Sequence, residues 1–269
     1  MKTLLKYLLS FVPTPGWTKR YPRLNRLEKC KMGVLCNILL GETGNMVFSG
    51  PFSTMKLVSG LAVARDPRMI VGSYEQEVHE VINEVISQGP ASIIDIGAAH
   101  GYYAVGLALK ISDTKVVAFE TVEQDHWAQL AELARINDVG HKIIQRGLCT
   151  PTALAETCVA ESFVLCDCEG AEEDLLDPIN VPTLRSCRML IELHEFHRPR
   201  LVPILVDRFK ESHKVLIIEE RPRDPAMYRI LKQLPSLWRS VAIEEAKWIC
   251  DMPPLRTTTW LRFMLLTPR

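Results

Sequence analysis

From about residue 72 onward, apolar and polar positions keep the rhythm of strands followed by helices. Val78, Val81, Ile82, Val85 and Ile86 recur at helical spacing, and Gly89-Pro90 ends that run. Ser73 and Gln76, just ahead of it, predict a capping box. The run Ile93, Ile94, Ile96, interrupted only by Asp95, predicts a buried parallel strand. A helix-compatible stretch from Tyr102 to Ile111 follows, then a second strand at Lys115–Phe119. Roughly Asp125–Asn137 reads as a helix with Trp127, Leu130 and Leu133 or Ala134 turned inward. Further strands are predicted at Lys142–Ile144, Phe163–Leu165, Met189–Leu193, Lys214–Ile218 and Trp260–Leu266. Strands alternating with helices specify an α/β class with a Rossmann-like seven-stranded sheet; the sheet is expected to be mostly parallel with an antiparallel C-terminal strand. Residues before about 70 lack clean periodicity. Their turn-rich stretch 41–53 predicts an N-terminal cap with a small hairpin, so the chain divides into an extension at 1–71 and a main domain at 72–269.

In an open α/β sheet, ligands bind beyond the carboxyl ends of the strands, so the polar residues placed there matter most. The first strand runs into Gly97, with Gly101 four residues later and a helix opening at Tyr102. Glycine permits the tight turn and close backbone approach, and a helix N-terminus presents N–H groups to a ligand. The pattern is not the GxGxxG of a dinucleotide site, which is expected to carry its acid only on the second strand. Here Asp95 stands beside the turn and Glu120 closes the second strand. A carboxylate buried there needs a partner, either backbone amides or a ligand ammonium. Glu120 is placed to accept hydrogen bonds from ribose hydroxyls. Two acids so arranged suit a cofactor with an ammonium group and a ribose, which points to S-adenosylmethionine.

The fourth strand leads into LCDCEGAEEDLL, residues 165–176. Asp167 and Glu169 bracket the mouth of the site, Gly170 permits a turn, and Glu172, Glu173 and Asp174 fall in the first turn of a helix, where acids suit the dipole. The fifth strand ends IELHEFH, which makes His194 a candidate general base or a partner of the neighbouring carboxylates. Asp167, Glu169, Glu192, His194 and His197 are metal-ligating types, but their spacing is not diagnostic and no metal is expected. Cys166 and Cys168 flank Asp167 without a second cysteine pair at zinc spacing, which excludes a zinc knuckle.

Composition narrows the partners. With 32 Lys+Arg against 32 Asp+Glu the chain carries no net charge, which argues against general affinity for nucleic acid. At 269 residues and 47% apolar it builds a full core. Eight cysteines spread through core-like runs read as reduced thiols of a cytoplasmic protein rather than a disulfide framework. The start, MKTLLKYLLSFVPTPGW, has its apolar run broken by Lys6 and Pro13, with no small-residue cleavage site after it. It reads as neither signal peptide nor membrane span, but as a short amphipathic helix suited at most to weak membrane-surface contact.

The segments IIDIGAAHGYYAVGLA (93–108), VVAFE (116–120) and VLCDCEGAEEDLL (164–176), with IELHE (191–195) and GSYEQEV (72–78), resemble the FkbM-type family of class I S-adenosylmethionine-dependent methyltransferases. The resemblance covers roughly residues 72–220. It implies cofactor contacts at Asp95, Gly97, Ala98, Gly101, Tyr102 and Glu120, with Asp167 near the methyl group and Tyr74 and Glu75 lining the same pocket. Ala99 departs from the asparagine many members carry. The implied activity is O-methylation of a small-molecule or sugar-like hydroxylated acceptor, with His194, Asp167 and Glu169 serving the proton transfer. Two other readings stay open: a methyltransferase fold that binds cofactor or partner without catalysis, and an NAD-dependent oxidoreductase. Arg221, Arg223 and Arg256 are candidates for orienting an anionic acceptor.

Overall fold

The computed structural model describes residues 26–121, 124–195, 197–219, 228–234 and 262–269. They fall into two compact units: residues up to Tyr74 with 228–234, and Glu75 onward with 262–269.

In the first unit, helix α1 (Arg26–Glu42) places Met32, Leu35, Cys36, Leu39 and Leu40 on one buried stripe. Sequence reading found no periodicity here. The stripe is present, but Gly33, Asn37 and Gly41 weaken it as a helix signal. The expected small hairpin is there as well: Met46 bridges Lys56, and Val47 N–H donates to the Met55 carbonyl at 2.9 Å. Helix α2 (Pro67–Val71) is opened by Asp66, whose carboxylate accepts from Arg68 N–H, and closed by Gly72 in the left-handed region. A fourth short element, α9 (Arg229–Gln233), belongs to this unit, and its number follows those of the second.

The second unit carries the sheet. Its strands are β1 (Ser92–Ile96), β2 (Lys115–Phe119), β3 (Ile143–Arg146), β4 (Phe163–Cys166), β5 (Arg188–Glu192), β6 (His213–Glu219) and β7 (Arg262–Pro268). Their order is β3-β2-β1-β4-β5-β7-β6, with β7 antiparallel to both its neighbours and the first five strands parallel. The helices are α3 (His79–Gln88), α4 (Tyr102–Lys110), α5 (Gln124–Ile136), α6 (Pro151–Thr157), α7 (Glu172–Leu175) and α8 (Leu201–Phe209). Helix α3 does not start directly after Ser73. A short 3-10 turn, Gln76–Val78, precedes it, and its N-cap Val78 makes no side-chain cap bond. Gly89 closes α3 in the left-handed region, as the Gly-Pro signal predicts. The last strand is described from Arg262, so Trp260 lies outside the described residues.

One face of the sheet, with Ile94, Ile96, Val117, Phe119, Val164, Cys166, Met189 and Ile191, packs with Leu154, Leu175, Leu201, Leu205 and Phe209 of α6, α7 and α8. Asp95 alternates with Ile94 and Ile96 and so lies on the other face, the side of α4. The parallel register aligns Ile96 with Phe119 and with Cys166, and Cys166 with Ile191. The next residues along these strands are Gly97, Glu120, Asp167 and Glu192, which therefore form one row at the carboxyl edge. Strand order reverses between β1 and β4, and that is where a doubly wound sheet opens its ligand crevice. Among the described residues, no helix is long and apolar enough to cross a membrane.

Candidate functional site

Gly97 has φ +88, and a Cβ on it would lie 1.6 Å from the Asp167 carbonyl oxygen. The glycine is required because β1 and β4 close on each other at this point. Gly101, φ +86, is the N-cap of α4, and its missing Cβ would meet Leu130 of α5 at 2.8 Å. Both faces glycine leaves open are thus filled by protein. The N–H groups of Gly97 and Ala98 donate to the Phe119 carbonyl, and Ala99 N–H donates to Glu120 Oε2 at 2.7 Å.

Glu120 is buried and accepts on its other oxygen from Thr121, through N–H at 2.7 Å and hydroxyl at 2.8 Å. His126 Nδ1 lies 3.6 Å from that oxygen, and the His126 ring rests against His100. Asp95 is 2% exposed, and its Oδ2 has no hydrogen-bond partner among the described residues. Burial pushes its carboxyl up to about 8, helped by the charges of Asp167, Glu120 and Glu75 and opposed by the Ala104 N–H. Glu75, buried with a left-handed backbone, accepts from the Tyr103 hydroxyl at 2.6 Å. Tyr102 is buried at the start of α4, and Ala98 is buried in the turn. Tyr74 belongs to the first unit, where the Arg68 guanidinium lies 5.0 Å from its ring centre.

At the ends of β4 and β5 the arrangement differs. His194 is fully buried, and its Nδ1 is 2.5 Å from Oε1 of Glu172, itself fully buried. Its Nε2 faces Asp167 Oδ1 at 3.5 Å, Glu169 Oε2 at 3.5 Å and Glu192 Oε1 at 3.6 Å. Burial pushes the imidazole down, but the Glu172 hydrogen bond and the surrounding charges outweigh it and hold His194 above its ordinary range. Burial likewise works against ionised Glu172, yet its bonds to His194 and Gly170 N–H keep it low. The hydrogen bond between them thus raises His194 and lowers Glu172 together. Asp167 is pushed up to about 6 by burial, with His194 opposing and Glu169 adding to the rise. Its Oδ1 is shut off from solvent, while the side chain as a whole is 40% exposed. Glu169 is 70% exposed, so these two form the rim over a floor of His194 and Glu192.

Glu172 is the residue sequence reasoning undervalued. As the first acid of a helix start it looked like Glu173 and Asp174, and only its burial against His194 separates it from them. Glu192, named only among ligating types, is 5% exposed and directly beside His194. Asp167, Glu192 and His194 offer ligand atoms within 4.8 Å of one another, a convergence their spacing did not reveal. His197 stays outside that group; it packs on Gly170, where a Cβ would meet it at 3.0 Å. Arg221, Arg223 and Arg256 lie outside the described residues. Cys149, Cys158, Cys166, Cys168 and Cys187 carry free thiols, with the Cys166 and Cys168 sulfurs 3.5 Å apart.

No protein-family model and no curated protein matches this chain. Solved structures similar to it include an O-methyltransferase from Bacillus cereus in complex with SAH, at 14% identity over 69% of this chain and 77% of that one, with a TM-score of 0.44. Another is the O-methyltransferase TomG from Streptomyces achromogenes in complex with SAM, at 13% identity over 73% and 81%, with a TM-score of 0.44. A third is an rRNA methylase from Streptococcus thermophilus, at 8% identity over 71% and 94%, also at 0.44. At such identities and scores, neither substrate nor chemistry transfers from them to this chain.

Proposed function

We propose that this chain is an S-adenosylmethionine-dependent methyltransferase of the FkbM type, acting on a hydroxyl of a small-molecule or sugar-like acceptor. The observation that carries the reading is the gathering of Glu75, Asp95, Glu120 and Asp167 around one glycine turn, where burial first and then the neighbouring charges push Asp95 up to about 8. Such a site favours a ligand bearing positive charge, as the sulfonium and ammonium of S-adenosylmethionine do, and disfavours the pyrophosphate of a nicotinamide dinucleotide. Glu120 already accepts three hydrogen bonds, and its fixed position suits ribose hydroxyls.

Methyl transfer is an in-line displacement: the acceptor oxygen forms a bond to the methyl carbon as the carbon–sulfur bond breaks. Holding the reactants about 3–3.5 Å apart supplies much of the acceleration. The hydroxyl proton leaves to a carboxylate of the rim. Asp167, half exposed and raised toward neutrality, is the best matched acceptor, with Glu169 beside it. His194 has no solvent-facing edge and acts by positioning Asp167 and Glu169 and compensating their charge. An alternative in which the fold binds the cofactor without turnover predicts the same ligand affinity and indifference to Asp167→Asn.

Thermal unfolding with S-adenosylmethionine, S-adenosylhomocysteine, NAD or no ligand tests the reading, with Asp95→Ala and Glu120→Ala as controls. A ligand at about a hundred times its dissociation constant adds roughly 2.7 kcal/mol to two-state stability. Stabilisation by both adenosyl ligands, lost in both variants, is expected. A response to NAD alone, or to none of the three, overturns it.

A further inference from the structure

We infer that Cys166 and Cys168, on either side of Asp167, form a site of reversible thiol oxidation, at which hydrogen peroxide closes a disulfide across the residue that lines the candidate site. The two sulfurs lie 3.5 Å apart. Side chains two apart along a strand share a face, and here that face is the core side. Cys166 is fully buried in the cluster under the sheet, and half-buried Cys168 packs against the same cluster. Asp167 alternates with them and faces His194 Nε2 at 3.5 Å on the other side. A disulfide needs side chains that point at each other, and the sulfur contact meets that condition. Closing it shortens the contact by about 1.5 Å, to a bond of about 2.05 Å.

Burial divides the work between the two sulfurs. Cys168 reaches solvent and Cys166 does not. The hydrogen bond to Cys168, then burial, hold the Cys166 thiol well above its ordinary range, so its proton stays in place. A thiolate is the attacking species, and Cys168 is therefore the sulfur that meets the oxidant. Its thiolate cleaves the O–O bond and becomes a sulfenic acid as hydroxide leaves. Cys166 then attacks that sulfur, its proton goes to the departing hydroxyl, and water leaves. Two thiols are oxidised and one peroxide is reduced to two waters. Cys149 also feels the charge of Cys168, but burial first pushes its thiol up to about 12. Cys158 and Cys187 sit as close, at 3.4 Å, yet both are buried and neither meets the oxidant. The new ring contains the whole backbone of Asp167. That residue's N–H donates to the Ile96 carbonyl at 2.9 Å, and its own carbonyl lies where a Cβ on Gly97 would be 1.6 Å away. Oxidation thus pulls on the peptide that carries the rim carboxylate and braces the glycine turn. The oxidation itself does not depend on the methyl-transfer reading; its effect on adenosyl-ligand binding does.

The full-length protein is treated with hydrogen peroxide and its peptides are weighed without reduction. The peptide holding Cys166 and Cys168 is expected to lose about 2 Da, recovered with dithiothreitol, while Cys158 and Cys187 stay reduced. Cys168→Ser abolishes the loss. Cys166→Ala leaves Cys168 as a sulfenic acid that dimedone traps. Thermal unfolding confirms that each variant is folded, and Cys168→Ser, at a half-buried position, decides the matter even if Cys166→Ala is not. A Cys166–Cys168 pair that stays reduced, a bridge from Cys168 to Cys149 instead, or oxidation of Cys158 and Cys187 at the same rate overturns the site. The link to Asp167 is read from the thermal shift given by S-adenosylhomocysteine. In the oxidised protein that shift is expected to fall by about half, as tenfold weaker binding gives at about a hundred times the dissociation constant. Dithiothreitol restores it, and peroxide leaves it unchanged in Cys168→Ser. An unchanged shift in the bridged protein overturns the link. No shift in the reduced protein overturns the methyltransferase reading instead, and the peptide masses still decide the oxidation site.

Discussion

The two halves of the carboxyl edge handle negative charge in opposite ways. At the end of β2, Glu120 is stabilised by fixed donors: Ala99 N–H, Thr121 N–H and the Thr121 hydroxyl. At the ends of β4 and β5, Asp167, Glu169 and Glu192 converge on a single imidazole nitrogen. A carboxylate held by fixed N–H and O–H donors keeps its geometry whether or not a ligand is present. Carboxylates gathered around a buried imidazole depend on that ring and on whatever fixes it. The first half is thus fixed by donors of the backbone and one hydroxyl, and the second by a single buried ring.

The seam between the halves is Gly97, where β1 meets the backbone of Asp167. Gly97→Ala is expected to have the largest effect of any single change at this edge. The new Cβ would fall 1.6 Å from a carbonyl oxygen, and φ +88 is hostile to any L side chain. Backbone has to move on one side or the other. A loss of at least about 3 kcal/mol in urea unfolding is expected, by overpacking and strain together. A loss below 1 kcal/mol would mean that the two strands are not locked together there.

Next comes Glu172→Leu, which leaves His194 buried without its counter-charge. Removing one partner of a buried pair costs about 3–5 kcal/mol, and the lower end is expected because Asp167 and Glu192 remain near the ring. Glu172→Gln keeps an acceptor for Nδ1–H and should recover most of that loss. Equal losses in the two variants would show that packing, not charge, holds the histidine.

Much of the architecture was legible in the sequence because strands and glycines announce themselves locally. Ile93 to Ile96 read as a buried strand, and Gly97 and Gly101 as a turn, since each signal lies within a few residues. The seven strands and the α/β class follow from alternation, whereas the reversed last strand does not, since alternation by itself gives parallel strands. Candidate site residues were legible where they fall at or beside strand ends, as Asp95, Glu120, Asp167 and His194 do. What stayed hidden was pairing across distance. Glu172 and His194 are separated by 22 residues, and nothing local distinguishes a helix-start glutamate from one turned inward. Helix α1 was hidden for another reason: its stripe is punctuated by glycines that local propensity disfavours.

Asp95 sharpens the comparison from the other side, because it belongs to the first half but lacks a full set of donors. Its folded pKa, about 8, lies above the unfolded value of 3.8, so between these the folded state keeps a proton that the unfolded state has released. The contribution of Asp95 to stability is therefore greatest below about pH 4, falls as pH rises toward 8 and levels off above it. Against Asp95→Asn, which cannot ionise, the wild type should lose stability steadily as pH rises across that window. Denaturant unfolding of both proteins from pH 4 to 9 measures the difference. Parallel curves would mean that Asp95 ionises freely and has found donors or water.

The smallest expected effect tests how firmly the first half is set. Ala99 has φ +44, a left-handed conformation that costs a residue with a Cβ about 1–2 kcal/mol. It holds that conformation because its N–H donates to Glu120 Oε2, and Gly97 and Gly101 leave the turn no other course. Ala99→Gly removes the strain but gives the unfolded chain more freedom, worth about 0.4–1 kcal/mol. A net gain of about 0.5 kcal/mol is expected, with adenosyl-ligand stabilisation unchanged, because Glu120 keeps its donors. Should the variant be less stable and bind more weakly, the alanine methyl rather than the backbone would be what fixes Glu120, and the donors of the first half would be as dependent on a side chain as the second half is on His194.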